Sequence, residues 1–349
     1  MSAPTAVIVA DDFTGALDSS VSFALAGRRV AATLGPEGFR DAVASGADVL
    51  VVNTATRELG ATAAAGRVEA VAGTVAGLGA GLVLKKIDSR LKGHVAAETA
   101  ALARALAVGA IVVAPAIPGE GRLTVGGTVV GAGVAAPIPI AAAFAGTGLA
   151  VAVEDAATDA DLDRIVARHD WTRTLAVGAR GLGAAFARRH GPIAPAAFVP
   201  DARTLVVVGS RDPATDDQVA FLLRSRPGIA VAAAPLGRAA SLPDRLPALL
   251  RLTGAFRPGS GVEARFADHA AEAIRRLAPD TIVLTGGETA ASILSRLGAG
   301  LVFPTAEAAP GLPAFRLDSG DGAGIRCIVK SGGFGRDGAL AALLPDEGD

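Results

Sequence analysis

The chain has one cysteine, Cys327, one tryptophan and no tyrosine among its 349 residues. A lone cysteine excludes an intrachain disulfide and any cysteine-built zinc site. Aromatic residues make up 4% of the chain, leaving few platforms on which nucleic-acid bases stack. A dominant charge of one sign is missing too: the formal net charge is -1 and the pI is near 6.5, so no general field draws a polyanion. Nucleic acid is not an expected partner. The four histidines, His94, His169, His190 and His269, are scattered without metal-ligand spacing. The uncharged stretch 123–153 carries several glycines, Pro137 and Pro139, and more alanine than leucine or isoleucine, which argues against a membrane span. Asp11 and Asp12 interrupt the first hydrophobic run, so no leader is read and a cytoplasmic location is expected.

What is present centres on Val7-Ile8-Val9-Ala10-Asp11-Asp12-Phe13-Thr14-Gly15-Ala16-Leu17-Asp18. Four apolar residues in a row suit a strand covered on both faces, and Thr14-Gly15 followed by alanine and leucine opens a helical pattern. Asp11 and Asp12 then lie at the carboxyl end of a strand, the edge where open α/β sheets bind ligands. Two carboxylates there can accept hydrogen bonds from a polyol, take a proton from a hydroxyl, or hold a hydrated cation. The plainer alternative is that Asp12 or Thr14 caps the helix and Asp11 is solvated.

Strand-like runs recur at 30–34, 49–52, 82–87 and 111–114, separated by helical stretches such as 61–78 and 96–107. That alternation indicates βαβ units and a mainly parallel sheet. Arg57 follows one strand; Lys85-Lys86-Ile87-Asp88-Ser89-Arg90-Leu91-Lys92 follows another. An arginine fork matches a carboxylate, and lysine or arginine neutralises charge on a transferring phosphoryl group. A solvated, charge-balanced loop is the alternative for 85–92. Arg122 precedes a hairpin that turns at Gly126-Gly127, from where it either reaches a substrate anion or steadies the hairpin. The glycines at 178, 181 and 183 lack dinucleotide-fingerprint spacing and read as a close-packed strand-to-helix turn. The Pro-rich region 191–200 is the expected linker.

Beyond it, three strands end in small residues: Gly209-Ser210, Gly286-Gly287 and Gly332-Gly333. Asp212-Pro213 is read as the cap and first residue of a helix. Glycine turns and helix amino termini present backbone N–H groups to anions, so together these ends favour a nucleotide-binding domain, although none is a Walker A loop. The fold class read from the pattern is α/β, two domains with mainly parallel sheets flanked by helices; one large α/β domain is the alternative at this length.

Read together, the stretches 10–18, Asn53-Thr54-Ala55-Thr56-Arg57, 85–93, Ala114-Pro115-Ala116-Ile117-Pro118 to Gly121-Arg122, Val208-Gly209-Ser210, Thr285-Gly286-Gly287-Glu288-Thr289-Ala290 and Lys330-Ser331-Gly332-Gly333-Phe334-Gly335 resemble the four-carbon acid sugar kinase family, in order through nearly the whole chain. The resemblance implies a sugar-acid-binding domain over 1–195 and a nucleotide-binding domain over 200–349. It implies ATP-dependent phosphorylation of threonate, erythronate or 3-oxo-tetronate, with Mg2+. Asp12, Arg57, Lys86, Ile87, Asp88 and Ser89 would bind the sugar acid; Ser210, Gly286, Gly287, Glu288, Thr289, Gly332 and Gly333 would hold ATP. Asp12 is the expected group to orient or deprotonate the hydroxyl, with Asp11 as alternate. Arg57 would pair with the substrate carboxylate, Arg122 is a further substrate candidate, and Lys86 or Arg90 would offset phosphoryl charge. Ser89-Arg90-Leu91-Lys92-Gly93-His94 departs from the family's usual Ser-Thr-Leu-Arg-Gly-Asn, placing an extra cation and a histidine toward the site. The run 133–139 is bland where the family carries an acidic and aromatic loop, and the chain is short for the family. Rival readings are a non-catalytic sugar-acid-binding or regulatory protein, which the altered loop permits, and a nicotinamide-dependent dehydrogenase. The metal ligands and the oligomeric state, a homo-oligomer included, are open.

Overall fold

The computed structural model describes residues 3–194, 198–257 and 259–345; of the expected linker, residues 195–197 lie outside the described set. The chain divides into two compact units, Met1–Ala194 and Pro195–Asp349. Each is an α/β layer structure with a mainly parallel sheet. Among the described residues no helix is long and apolar enough to cross a membrane.

The first unit begins with β1 (Ala6–Ala10), α1 (Phe13–Leu25), β2 (Val30–Thr33), α2 (Phe39–Ala44), β3 (Val49–Asn53), α3 (Ala61–Gly77), β4 (Val83–Lys86), α4 (Val95–Ala105) and β5 (Ala110–Ala114). The hairpin β6 (Arg122–Val125) and β7 (Thr128–Gly131), β8 (Ile138–Pro139) and α5 (Ile140–Ala143) come next. The unit closes with β9 (Ala150–Val153), α6 (Asp159–Arg168), β10 (Leu175–Gly178) and α7 (Arg180–Arg188). Within this unit the main sheet runs β2-β3-β1-β4-β10-β5-β9, all neighbours parallel. Every residue of β1 and β3 is buried, as strands covered on both faces require. β6, β7 and β8 form a separate antiparallel sheet, and Gly126 and Gly127 both take positive φ at its hairpin turn, the conformation a two-residue turn of this hand needs.

From β1 the chain crosses to β2 on one side, whereas β4 leads to β5 on the other. Right-handed crossovers in opposite directions leave a crevice between the carboxyl ends of the two strands. The register sets Ala10 beside both Asn53 and Lys86, so the residues after β1, β3 and β4 meet at that crevice.

The second unit runs β11 (Thr204–Val208), α8 (Pro213–Ser225), β12 (Ala230–Pro235), β13 (Ala248–Thr253), α9 (Val262–Leu277), β14 (Thr281–Thr285), α10 (Gly287–Arg296), β15 (Leu301–Val302), β16 (Ala306–Ala309), β17 (Leu312–Arg316) and β18 (Arg326–Lys330). Its sheet is ordered β12-β13-β11-β14-β18-β17-β16, with only β17 and β16 antiparallel to their neighbours. β11 and β14 lead to opposite sides, so a second crevice opens between them, with Val208, Thr285 and Lys330 abreast at its base. The core beneath α8 is built from Val206, Val219, Leu222, Val283 and Ile328, joined by Leu340 and Leu343 from the end of the chain.

Candidate functional site

At the first crevice Asp11 and Asp12 have diverged. Asp11 is 2% exposed and holds the Arg57 fork: Nε donates to Oδ2 and Nη2 donates to Oδ1 at 2.8 Å. Asp12 keeps 18% of its side chain exposed and is the N-cap of α1, accepting from Gly15 N at 3.2 Å and from Thr14 Oγ1 at 2.5 Å. Arg57 Nη2 also reaches Asp12 Oδ1 at 3.1 Å, and Nη1 lies 3.8 Å from Asp88. Asp12 thus does cap the helix, but Asp11 is a buried ion-pair partner rather than a solvated group. Burial alone would raise the Asp11 pKa; Arg57, Lys85 and Lys86 outweigh it and hold the carboxyl below its ordinary value. Burial likewise opposes the Arg57 charge, and Asp12, Asp11 and Asp88 reverse that and raise its pKa.

Local backbone delivers these groups. Ala55 sits at φ 49, a strained left-handed bend that returns the chain so that Thr56 N and Arg57 N both donate to the Asp11 carbonyl. Arg67 Nη1 ties the bend by donating to the carbonyls of Thr54 and Ala55. Gly93, at φ 85, covers the ion pair, and a Cβ there would lie 3.0 Å from Asp11 Oδ2.

Lys85 and Lys86 belong to β4 itself and are buried, so the solvated-loop alternative fails for them. Lys85 is 1% exposed, ion-paired with the equally buried Glu98 at 2.8 Å, and donates to the Lys86 carbonyl. Lys86 aims its ammonium at the start of α1, where a Cβ on Gly15 would come within 2.7 Å of Nζ and 2.4 Å of Asp12 Oδ1. Burial works against its charge, but Asp18, Asp12 and Asp11 raise its pKa. Asp88 accepts from the amides of Arg90 and Lys92. Ser89 Oγ accepts from Arg122 Nη1 at 2.7 Å, while Arg122 Nε donates to the Ala132 carbonyl. Arg122 therefore joins the hairpin to the end of β4, and Arg90 lies against the same turn near Gly133. Ile87 is 1% exposed and its amide already donates to Gly178, so it presents neither side chain nor N–H to a ligand. The ring of His94 is tied to the Leu59 carbonyl.

Three participants escaped the sequence reading. Asp18, in α1, and Glu120, after β5, are driven up by burial to about 6 and about 7, against Arg180 and the other nearby cations. Arg180, the first residue of α7, stands 3.4 Å from Glu120. The signal available was Asp18, nearly two helical turns after the paired aspartates. Its burial against Lys86 and Arg180 was not readable. The glycines at 178, 181 and 183 are packing residues: Cβ atoms there would fall 2.6, 2.3 and 2.5 Å from the carbonyl oxygens of Ala114, Ala116 and Ser19. Close approach of backbone accounts for all three glycines.

The second crevice is lined by small residues held close. A Cβ on Gly209 would meet Thr289 Oγ1 at 2.3 Å, one on Gly286 would lie 3.4 Å from Ser210 N, and one on Gly332 would meet Ser210 Oγ at 2.2 Å. Ser210, Gly286, Thr289 and Gly332 thus converge; Gly287 opens α10, with Glu288 in its first turn. Asp212 caps α8, accepting from Ala214 N, and Pro213 follows at its first position. Gly286 N donates to the Lys330 carbonyl, which fastens the β14 turn to β18. Gly333 lies in the turn that follows β18. Among the described residues no group of three or more His, Cys, Asp or Glu side chains is arranged to hold a metal ion.

Two family models match the chain. One describes a sugar-binding N-terminal domain and covers residues 6–142; the other describes a nucleotide-binding C-terminal domain and covers residues 237–340. A D-threonate kinase of Bordetella bronchiseptica is 30% identical over 402 aligned positions, spanning 97% of this chain and 96% of its own. A 3-oxo-tetronate kinase of Pseudomonas fluorescens is 28% identical over 411 positions, spanning 94% of this chain and 93% of its own. These alignments are longer than the whole chain of 349 residues, so the relatives carry segments that it lacks. A solved Haemophilus influenzae structure shares the fold, with a TM-score of 0.65 at 20% identity over 97% of this chain and 98% of that one. With both domain models in order and a relative matched end to end, the chain belongs to the four-carbon acid sugar kinase family.

Proposed function

We propose that the chain is an ATP-dependent kinase that phosphorylates a hydroxyl of a small sugar acid of the four-carbon class. The observation that carries this reading is the pairing of Asp12 with Lys86 at the first crevice: a partly exposed carboxylate at the start of α1 beside a buried ammonium. The kinase names of the relatives support the reaction class.

In this reading Asp12 receives the acceptor hydroxyl. Thr14, Gly15 and Arg57 hold its carboxylate in place, and its exposed edge accepts the hydroxyl hydrogen as the oxygen attacks. Asp11 is the poorer base, because its two oxygens are taken by Arg57 and its pKa is held down. Lys86 and the amino terminus of α1 place positive potential where the phosphoryl oxygens gather charge. Arg57 spends Nε and Nη2 on the two aspartates and holds Nη1 3.8 Å from Asp88, so Arg90 and Arg122 share the task of pairing with the acid's carboxylate. The turns at Ser210, Gly286 and Gly332 receive the nucleotide phosphates through backbone N–H groups. Mg2+ would be held chiefly by phosphate oxygens, with a carboxylate or water completing its shell, and would supply charge neutralisation on the phosphates.

The test is ADP formation with Mg-ATP across threonates, erythronates, 3-oxo-tetronates and longer aldonates. Release that depends on one four-carbon acid is the expected result. A chain that binds such acids without releasing ADP is instead the sugar-acid-binding protein of the rival reading.

A further inference from the structure

The loop after β18 has its carbonyls turned inward by three buried side chains. Lys330 Nζ donates to the carbonyls of Ser331 at 2.9 Å and Gly332 at 3.2 Å. Thr215 Oγ1 donates to the same Gly332 carbonyl at 2.8 Å. Gln218 Nε2 donates to the carbonyls of Phe334 at 2.9 Å and Gly335 at 3.0 Å. Lys330 and Thr215 have no exposed surface and Gln218 has 1%. Among the loop amides only Phe334 N is engaged by a backbone carbonyl within the described residues, that of Ser331.

A peptide unit whose carbonyl is held toward the core directs the N–H that follows it the other way, so the amides after Ser331 and Gly332 point away from the clamping side chains. That arrangement receives an anion without a lysine touching it. We propose that Lys330 is a positioning residue for nucleotide binding: its buried ammonium clamps the Ser331 and Gly332 carbonyls and so aims the amides of Gly332 and Gly333 at the phosphates. The inference rests on the nucleotide reading given above. It adds a residue that touches no ligand.

The clamp works through the proton that Lys330 carries. Burial pulls its pKa down to about 8, with Asp212 acting in the opposite direction. α8 presents Thr215, Gln218 and the capping Asp212 to this loop, and the register partner of Lys330 on β14 is the uncharged Thr285. Above that pH the ammonium loses a proton and with it the charge that holds two carbonyls at once.

The experiment measures ADP affinity by calorimetry, without added metal, from pH 6.5 to about 9.5, on the wild-type chain and on Lys330→Met, with melting temperatures recorded for both. Ionisation of the terminal phosphate, at about pH 6, is nearly complete by about pH 7 and adds negative charge, so it does not produce a loss of affinity at higher pH. The expected result is a wild-type dissociation constant that starts to rise near pH 8 and increases toward about tenfold, with a midpoint between about pH 8 and 9. Lys330→Met should bind at least tenfold more weakly at pH 7 and show no such midpoint. In turnover assays the variant should raise KM for ATP while KM for the acid stays as in the wild type. Wild-type affinity that is flat across the range overturns the proposal even if the variant fails to fold. Equal affinity of wild type and variant at pH 7 also overturns it. A wild-type chain that binds neither ADP nor ATP refutes the nucleotide reading itself, and the clamp with it.

Discussion

Replacing Arg57 by methionine would leave Asp11 as a buried carboxylate, 2% exposed, with its two strongest hydrogen bonds gone. Removing one member of a buried pair typically costs about 3–5 kcal/mol, because the remaining charge is stranded. Arg57 is itself 19% exposed, and water entering the vacated space would hydrate part of Asp11, so the lower end, about 3 kcal/mol, applies. The double variant Asp11→Asn with Arg57→Met removes the stranded charge and should recover about 2 kcal/mol of that loss. Urea unfolding followed by tryptophan fluorescence reads this unit alone, since Trp171, the single tryptophan, lies within it against Phe186. With a slope of about 2 kcal/mol per molar urea, the single variant should shift the midpoint by about 1.5 M. A midpoint within about 0.3 M of wild type, or a double variant no more stable than Arg57→Met, would refute the assignment of Asp11 and Arg57 as a coupled buried pair.

Gly183→Ala would drive a Cβ to 2.5 Å from the Ser19 carbonyl, forcing α1 and α7 apart at a cost of about 2 kcal/mol, whereas Gly66→Ala, with nothing within 4 Å inside α3, should stabilise by about 0.5–1 kcal/mol; urea midpoints read both. Glu98→Gln strands the buried Lys85 ammonium and should cost about 3 kcal/mol, and Lys85→Met with Glu98→Leu should recover most of it, a comparison that thermal unfolding can make. Asp18 has a folded pKa raised from 3.8 to about 6, so the folded chain binds the proton more tightly than the unfolded chain; its contribution is full below 3.8 and is lost as pH rises to about 6. Asp18→Asn should remove that slope from stability measured between those pH values. Asp11 has the opposite sign: its contribution is present above 3.8 and is lost as pH falls through a folded value below that. Asp12→Asn should abolish sugar-acid-dependent ADP release while leaving ADP affinity within about twofold, since the turns proposed for the nucleotide follow other strands; unchanged turnover would remove Asp12 from the mechanism.

The sequence alone marked the strands at the centre of each sheet, because buried runs such as 6–10 and 281–285 carry their period locally, whereas β12, β13, β16 and β17 were not among the runs it marked. It also placed its candidate site residues after strands, since Asp12, Arg57, Asp88, Ser210, Gly286 and Gly332 all follow strands in the chain. Turn chemistry was legible for the same reason: Gly126-Gly127 and Asp212-Pro213 specify their backbone within a few residues. Sheet order was decided only in three dimensions, and with it the meeting of β1, β3 and β4, which turned two adjacent aspartates into a buried ion-pair partner and a partly exposed cap. Burial decided the rest. It placed Lys85 against Glu98, put Asp18 and Glu120 beside Arg180, and seated Lys330 beneath its loop, none of which a local pattern can show, because each contact joins residues that are far apart in the chain or face directions set by packing. Charge and identity are written in the sequence; the dielectric around a charge, and so the work it can do, is set by what folds over it.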